Sequence, residues 1–480
     1  MAHASQLAAV RRDAVVLALA SMAIFLNTVD ISILNVAMPV IQRDLGISTT
    51  LLQWLQGAYG LSYAGLLLLS GRLADLAGRR RVFLTGVGLF GAASLAGTIA
   101  PGIALLLAAR ALQGVGAALM VPSAISIIST TFAEGRRRNH ALGIFSAVAA
   151  SGFSSGLAAG ALITEFVSWR WVFFVNVPIA AAILALTLCA VARDGASRRA
   201  SVDVAGAALV TAGLLAIVYA IPLFGGSTRS LASALEWSAL GATLLGAFAL
   251  YERRLENPLV PLSLFAQPSL RAASAASIAL LGSAFGFFFL ASMCLQTAAG
   301  YSSLEAGFAL LPMSLISACV SLLVAPRLAG LIGAGRMLGL GLVLNAVGLS
   351  LFVMADPPQA LAMTILASVV LGGFGMGLGY PATNLVALEG MEPGLQGAAS
   401  GIQNTSLQAG GAIGTAIAAA ALSAFGTPFA AVASADQITA RSLAALMLAA
   451  FALAGALALV ALRRSARTAT RQCVESCPTP

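Results

Sequence analysis

The sequence predicts an all-helical membrane protein: two six-helix halves with two extra helices inserted between them, fourteen transmembrane helices in all. Four observations carry that fold class. Of 480 residues, 59% are hydrophobic and 9% charged, with a mean hydropathy of +0.96, whereas soluble domains carry roughly 25% charge. The apolar residues fall into fourteen runs of the ~20 residues that span a bilayer. Basic residues cluster between alternate runs, and a short sequence block recurs 255 residues on.

The first six runs begin near Ala14, Leu51, Val82, Ile103, Ala141 and Trp171. The next two begin near Val204 and Ala232, and the last six near Ala272, Leu304, Met337, Leu361, Gly397 and Ser442. The first follows Arg11-Arg12 and stays apolar to about Pro39, longer than the core of a cleaved signal, so it reads as a retained span. All 26 basic residues are arginine. With the N-terminus in the cytoplasm, only Arg43, Arg170, Arg229 and Arg441 fall in outer loops, and Arg110 alone lies within a span. Cytoplasmic loops concentrate positive charge, so the protein is expected in the inner (plasma) membrane with both termini cytoplasmic.

Residues 71–78 read GRLADLAG and residues 326–333 read PRLAGLIG. Upstream, Gly46-Ile47-Ser48 is echoed by Gly300-Tyr301-Ser302. Each block stands between the second and third spans of a six-span set, which divides the chain into a first half (1–192), a linker with the two inserted helices (193–252), a second half (253–465) and a tail (466–480). Internal repeats of this kind mark secondary transporters with a midplane site between the halves.

Composition also excludes. Without lysine there is no P-loop or Schiff-base chemistry. Two histidines, His3 and His140, and five cysteines lacking a C-x-x-C pair leave no metal centre and no hydrolytic triad. No enzyme activity, cofactor or metal is expected. The net charge of +9 serves topology rather than nucleic acid. The partners expected are protons, the lipid bilayer and a hydrophobic small-molecule substrate, and the expected state is a monomer.

Gly71-Arg72-Leu73-Ala74-Asp75-Leu76-Ala77-Gly78-Arg79-Arg80-Arg81 resembles the loop signature of the major facilitator superfamily. Asp30-Ile31-Ser32-Ile33-Leu34-Asn35-Val36-Ala37-Met38-Pro39 is similar to the first-span motif of its fourteen-span drug:proton antiporters, the EmrB/QacA-like family. Arg110-Ala111-Leu112-Gln113-Gly114-Val115-Gly116 resembles the fourth-span motif, and Ser168-Trp169-Arg170-Trp171 with Phe173, Asn176 and Pro178 the opening of the sixth. Leu295-Gln296 and the run from Gly397 to Gly414 extend the likeness into the second half. The fifth span departs: Leu157 and Ala161 stand where the antiporter pattern has Pro and Gly. The resemblance implies a major facilitator fold and proton-driven export of drugs, antibiotics or natural products. A dedicated exporter of one endogenous metabolite and a lipid-linked flippase are the alternatives.

Asp30 is the only acidic residue deep inside a span, and a charge there is costly enough to mark function. Arg110 reaches a similar depth in the fourth span, so the two are expected to pair and to couple protons. Asn27 and Gln113 lie one turn from them and, with Asn35, are candidates to line the substrate cavity. The resemblance assigns gating to Gly71, Asp75, Gly78, Arg79 and Arg80, with Asp75 drawn to the positive end of the thirteenth span. Gly152, Gly156 and Gly160 recur every four residues and form a packing face or hinge. Trp54, Trp169, Trp171 and Trp237 are expected as interface anchors.

Overall fold

The computed structural model describes residues 2–132, 136–191, 203–224, 228–255, 262–353, 358–391, 395–423 and 442–461. Among them there is no β-strand. The tail 466–480 lies outside the described residues, as do residues 193–202 of the linker.

The helices of the first half are α1 (Ala2–Leu45), one-turn α2 (Thr49–Leu52), α3 (Trp54–Ala77), α4 (Arg79–Thr98), α5 (Ile103–Thr131) and α6 (Arg136–Phe166). Short α7 (Trp171–Phe174) leads into α8 (Asn176–Ala190). The insert is α9 (Val204–Leu223) and α10 (Thr228–Glu252). There follow α11 (Pro268–Met293), α12 (Ser303–Cys319), α13 (Ala325–Ile332), α14 (Ala334–Val353), α15 (Pro358–Ala387) and α16 (Gln396–Ser423). The last is α17 (Ser442–Ala461).

Among the described residues, twelve helices are long and apolar enough to cross a membrane, not the fourteen expected. The two that fall short have different reasons. Helix α3 has ample length but carries Gln56, Ser62 and Ser70 at buried positions, which dilutes its apolar character. Helix α9 spans 20 residues, of which Ala205–Ile221 count as apolar helix among the described residues.

The chain forms two compact units, Met1–Leu215 with Ala291–Leu315, and Ala216–Leu290 with Ile316–Pro480. In the first, α6 lies along α1, α3 and α4 flank α5, and α8 packs on α1 and α4. In the second, α14 lies along α15 and α13 joins them.

Backbone geometry repeats where the sequence only hints at it. Gly78 separates α3 from α4 at φ +96°, and Gly333, 255 residues on, separates α13 from α14 at φ +83°. Such φ values are strained for any residue with a Cβ. Gly46 and Gly300 share positive φ as well, and each precedes a serine that caps a helix start. Ser48 Oγ accepts from the Leu51 N–H, and Ser302 Oγ from that of Glu305. The stretch 71–78, expected as a loop, is helical through Ala77, so the connection reduces to Gly78.

Helix α1 also runs past its expected end near Pro39, to Leu45. Proline has no N–H, so the Asn35 carbonyl four residues earlier loses its helical donor. Ser292 Oγ supplies the missing bond at 2.7 Å, and Gln296 Nε2 donates to the next carbonyl, that of Val36, at 2.9 Å. The helix therefore passes its proline without an orphaned acceptor.

Candidate functional site

The site is assembled by close helix approach in the first unit. A Cβ on Gly114 would stand 2.3 Å from the Tyr59 carbonyl, and one on Gly116 2.8 Å from that of Gly86. Only glycine lets α3 and α4 come so near α5, and that brings their side chains onto the same point as Arg110 and Gln113. On the other side, a Cβ on Gly156 would lie 2.7 Å from the Val29 carbonyl and one on Gly160 the same distance from that of Ile33. Gly152 meets Thr28 Oγ1. The expected packing face of α6 is thus a seam against α1 that presses the helix bearing Asp30 into the bundle.

At the centre, Arg110 Nη1 meets Asp30 Oδ2 at 2.5 Å, each side chain no more than 2% exposed. Asn176 Nδ2 and Gln113 Nε2 both donate to Asp30 Oδ1, at 2.6 and 3.0 Å. Gln113 also donates to Ser94 Oγ at 2.8 Å and accepts from Arg110 Nη1 at 2.9 Å. Arg110 Nε donates to the Leu55 carbonyl, and its guanidinium carbon lies 4.4 Å from the centre of the Tyr59 ring. Tyr59 in turn donates its hydroxyl to Asn27 Oδ1 at 2.5 Å.

Among the described residues, each group that hydrogen-bonds the Asp30 carboxylate is a donor. The carboxylate oxygens are thus supplied with donors from Arg110 and Gln113 of α5 and from Asn176 at the start of α8. Two partners retain unused capacity: Asn176 Oδ1 and Arg110 Nη2 have no hydrogen-bond partner among the described residues. Besides Asp30, the described contacts of Arg110 are the Leu55 carbonyl, the Tyr59 ring and Gln113.

Arg110 lies seven residues from the start of α5, about 10 Å at 1.5 Å per residue. Leu55 is in the first turn of α3, and Asn176 opens α8. The cluster thus sits near the end of the bundle where these helices begin. Asp30 itself stands well inside its own helix and not at its end, because α1 runs on past Pro39 to Leu45.

Of the residues expected at the site, Asp30, Arg110, Gln113 and Asn27 come together. Asn35 stands one turn away, bonded to the Ile31 carbonyl and accepting from Gln56 Nε2 at 3.4 Å. Among the gating residues, Gly78 closes α3, Arg79 is partly buried, and Arg80 Nη2 donates to the Leu188 carbonyl at 3.1 Å. Gly71 and Asp75 lie in α3 by backbone, but their side-chain surroundings are outside the described residues. Sequence reasoning missed Tyr59, Ser94 and Asn176 as members of the cluster. Asn176 stood in a quoted motif, so its signal was present; a hydroxyl such as Ser94 gives none.

Trp169 is not an interface anchor. It is buried and donates its indole N–H to Asp44 Oδ2 at 2.8 Å. Arg170 lies over its ring at 4.3 Å and reaches the same carboxylate at 3.1 Å. The opening of the sixth span thereby ties α7 to the last turn of α1. Trp171 and Trp237 are exposed, as an anchor requires.

Comparison with known proteins fits this architecture. Residues 20–415 match the model of the Major Facilitator Superfamily. The chain is 39% identical to the puromycin resistance protein of Streptomyces alboniger over 400 residues, 82% of this chain and 78% of that one. It is also 39% identical to the cephamycin export protein of Amycolatopsis lactamdurans over 405 residues, 84% and 83% of the two chains. Among solved structures, the nucleoside transporter NupG superposes with a TM-score of 0.66 at 13% identity, over 94% of this chain and 99% of that one, a likeness of fold alone.

Proposed function

The chain belongs to the Major Facilitator Superfamily, and from that premise we propose that it exports hydrophobic drugs, antibiotics or natural products across the plasma membrane, driven by protons entering through Asp30. It is a multi-pass membrane transporter and not an enzyme. The export reading is supported by relatives named for puromycin resistance and cephamycin export.

The observation that carries the coupling is the buried pair of Asp30 and Arg110 within an all-donor cluster. Proton binding neutralises one partner, and a buried arginine left unpaired must move or be solvated. The protonated and ionised proteins therefore prefer different arrangements of α1 and α5, and a ligand that binds one better shifts the balance. Release of the proton to the cytoplasm resets the pair.

The finer reading is a fourteen-crossing, monomeric drug:proton antiporter with both termini in the cytoplasm. The crossings and the cytoplasmic termini in that reading are supported by the arginine distribution and by the 24-residue length of α3, which packs beside α5 in the same bundle. Gating by Asp75, and a cavity bordered by Asn27, Asn35 and Gln113, belong to the same proposal. A flippase reading is weakened because Arg110, the single intramembrane arginine available for a phosphate headgroup, is engaged by Asp30.

Substrate-induced proton release in inverted vesicles tests the coupling. The unaltered protein and Asp30→Glu should release protons on adding puromycin or another exported compound, and Asp30→Asn should not. Undiminished release from Asp30→Asn would remove Asp30 from the coupling path.

A further inference from the structure

Gln53 and Gln56 lie three residues apart, on one face of the start of α3, and both are buried. Gln56 Nε2 reaches Asn35 Oδ1. Its Oε1, together with both Oε1 and Nε2 of Gln53, has no hydrogen-bond partner among the described residues. Leu55, between them, gives its carbonyl to Arg110 Nε. The two glutamines therefore continue the Asp30 cluster toward the end of the bundle where α3 begins, and the unused atoms Arg110 Nη2 and Asn176 Oδ1 lie at the cluster itself.

Buried amides without partners carry an uncompensated desolvation cost, and native interiors resolve it with water or a ligand. The unused atoms here are of both kinds, acceptors on Gln53, Gln56 and Asn176, and donors on Gln53 and Arg110. A hydrophobic substrate offers little to such a row. Water, which donates and accepts in either direction, satisfies all of it.

We propose that Gln53 and Gln56 line a hydrated file that carries protons between the α3 start of the bundle and Asp30. On the proposed topology that end faces outward, so the file is the entry path for the driving proton; this role rests on the coupling function assigned to Asp30. A proton arriving on a water can be passed along the amide-bound chain and delivered to an Asp30 oxygen, with Asn176 Oδ1 available to accept the new O–H once its amide turns. Gln53 and Gln56 are positioning residues, since they hold the water and do not exchange the proton themselves.

The test uses the full-length protein in proteoliposomes, with two readouts that fail separately. Gln53→Leu/Gln56→Leu should slow substrate-driven proton release about tenfold or more, while puromycin exchange at equal pH on both sides stays within about twofold of the unaltered protein, a difference too small to reflect lost folding. Single cysteines at positions 53 and 56, in a variant lacking the native cysteines, should react with a small charged methanethiosulfonate from outside. Normal proton release in the leucine variant, or protected cysteines under turnover, would overturn the file. If Asp30→Asn still releases protons, the coupling role fails instead, and cysteine labelling alone then decides whether the row is hydrated.

Discussion

The two halves solve the same packing problem and diverge in electrostatics. In the first, Gly152, Gly156 and Gly160 of α6 lie against side chains and carbonyls of α1. In the second, glycines stand on both sides: a Cβ on Gly414 of α16 would come 1.8 Å from the Gly282 carbonyl of α11, and one on Gly286 2.8 Å from that of Gly414. Each half also buries an amide cluster. Around Asp30 it encloses an ion pair, whereas in the second half Gln403 Nε2 bonds Thr383 Oγ1 at 2.7 Å and Ser277 Oγ at 3.4 Å, with no charge in the cluster. Helix packing is therefore the repeated solution, and the titratable group is an addition to one copy. A carboxylate buried in lipid needs a shell of partners, and among the described residues the first half supplies one around Asp30.

The largest test of that contrast removes Arg110. Arg110→Ala leaves Asp30 buried without its counter-ion and should destabilise the protein by about 3–5 kcal/mol. Gln403→Ala in the second half loses neutral hydrogen bonds and should cost about 1–3 kcal/mol. Removing both charges with Asp30→Asn/Arg110→Gln should recover much of the first loss, because the penalty is the unpaired ion. Thermal unfolding of the purified protein in detergent measures all three. Equal losses in Arg110→Ala and Gln403→Ala would erase the electrostatic distinction between the halves.

The glycine seams sharpen the contrast at smaller scale. A methyl on Gly414 meets backbone on every near side, so Gly414→Ala should cost about 1–3 kcal/mol through overpacking. At Gly156 the nearest atom is Ser32 Oγ, but the Val29 carbonyl follows at 2.7 Å, so the cost should be intermediate. At Gly152 the short contact is with Thr28 Oγ1 alone, the next atom standing 3.2 Å away, and rotation of one hydroxyl relieves most of it. The order Gly414, Gly156, Gly152 should appear in unfolding temperature. If the effect instead appears in transport rate with stability unchanged, the seam acts as a hinge.

Much of this was legible because the bilayer restricts what each residue type can do. Apolar length and arginine placement located the helices, and the cost of a charge in lipid singled out Asp30 and Arg110 before any geometry was known. The positive-φ glycines at 78 and 333 explain why the repeat looked degenerate: what recurs is a backbone requirement that two residues meet, while the side chains between them drifted. The rest was hidden for physical reasons. Tyr59 and Ser94 are small signals on apolar helices, and their partners are set by helix rotation, which α3 and α4 acquire only through the glycines of α5. Trp169 resembled an anchor because burial against Asp44 depends on a contact 125 residues away. Run length alone gave fourteen spans, and among the described residues twelve helices are long and apolar enough to cross; the polar residues inside α3 set it apart from them.

Helix starts offer a finer comparison. Ser48 caps α2 with one bond, to the Leu51 N–H at 3.2 Å. Ser302 forms a reciprocal box, accepting from the Glu305 N–H while Glu305 Oε2 takes the Ser302 N–H at 2.8 Å. Loss of either serine oxygen should cost about 0.5–2 kcal/mol, with Ser302→Ala the more damaging because the glutamate loses its ordering partner. A larger loss at Ser48 in the same unfolding measurement would mean that the box adds nothing to the single cap.

The smallest effect concerns the repeated block itself, where Asp75 of the first copy corresponds to Gly330 of the second, 255 residues on. If the carboxylate works by meeting a helix start when the cytoplasmic side closes, its contribution is about 0.3–1 kcal/mol, enough to change a conformational balance roughly two- to fivefold. Asp75→Asn should therefore slow export by about that factor while membrane insertion and unfolding temperature stay unchanged. Gly330 has open space around its Cα, so Gly330→Asp is sterically free and supplies the missing charge to the second copy. Placed in the Asp75→Asn background, it should leave the slow rate as it is, because a gate needs its charge opposite a particular helix end and not merely in the repeated motif. Drug efflux from cells expressing each variant at equal levels decides the matter. Normal efflux by Asp75→Asn would reduce the block to a topology signal shared by both halves, and rescue by Gly330→Asp would show that the two copies are interchangeable after all.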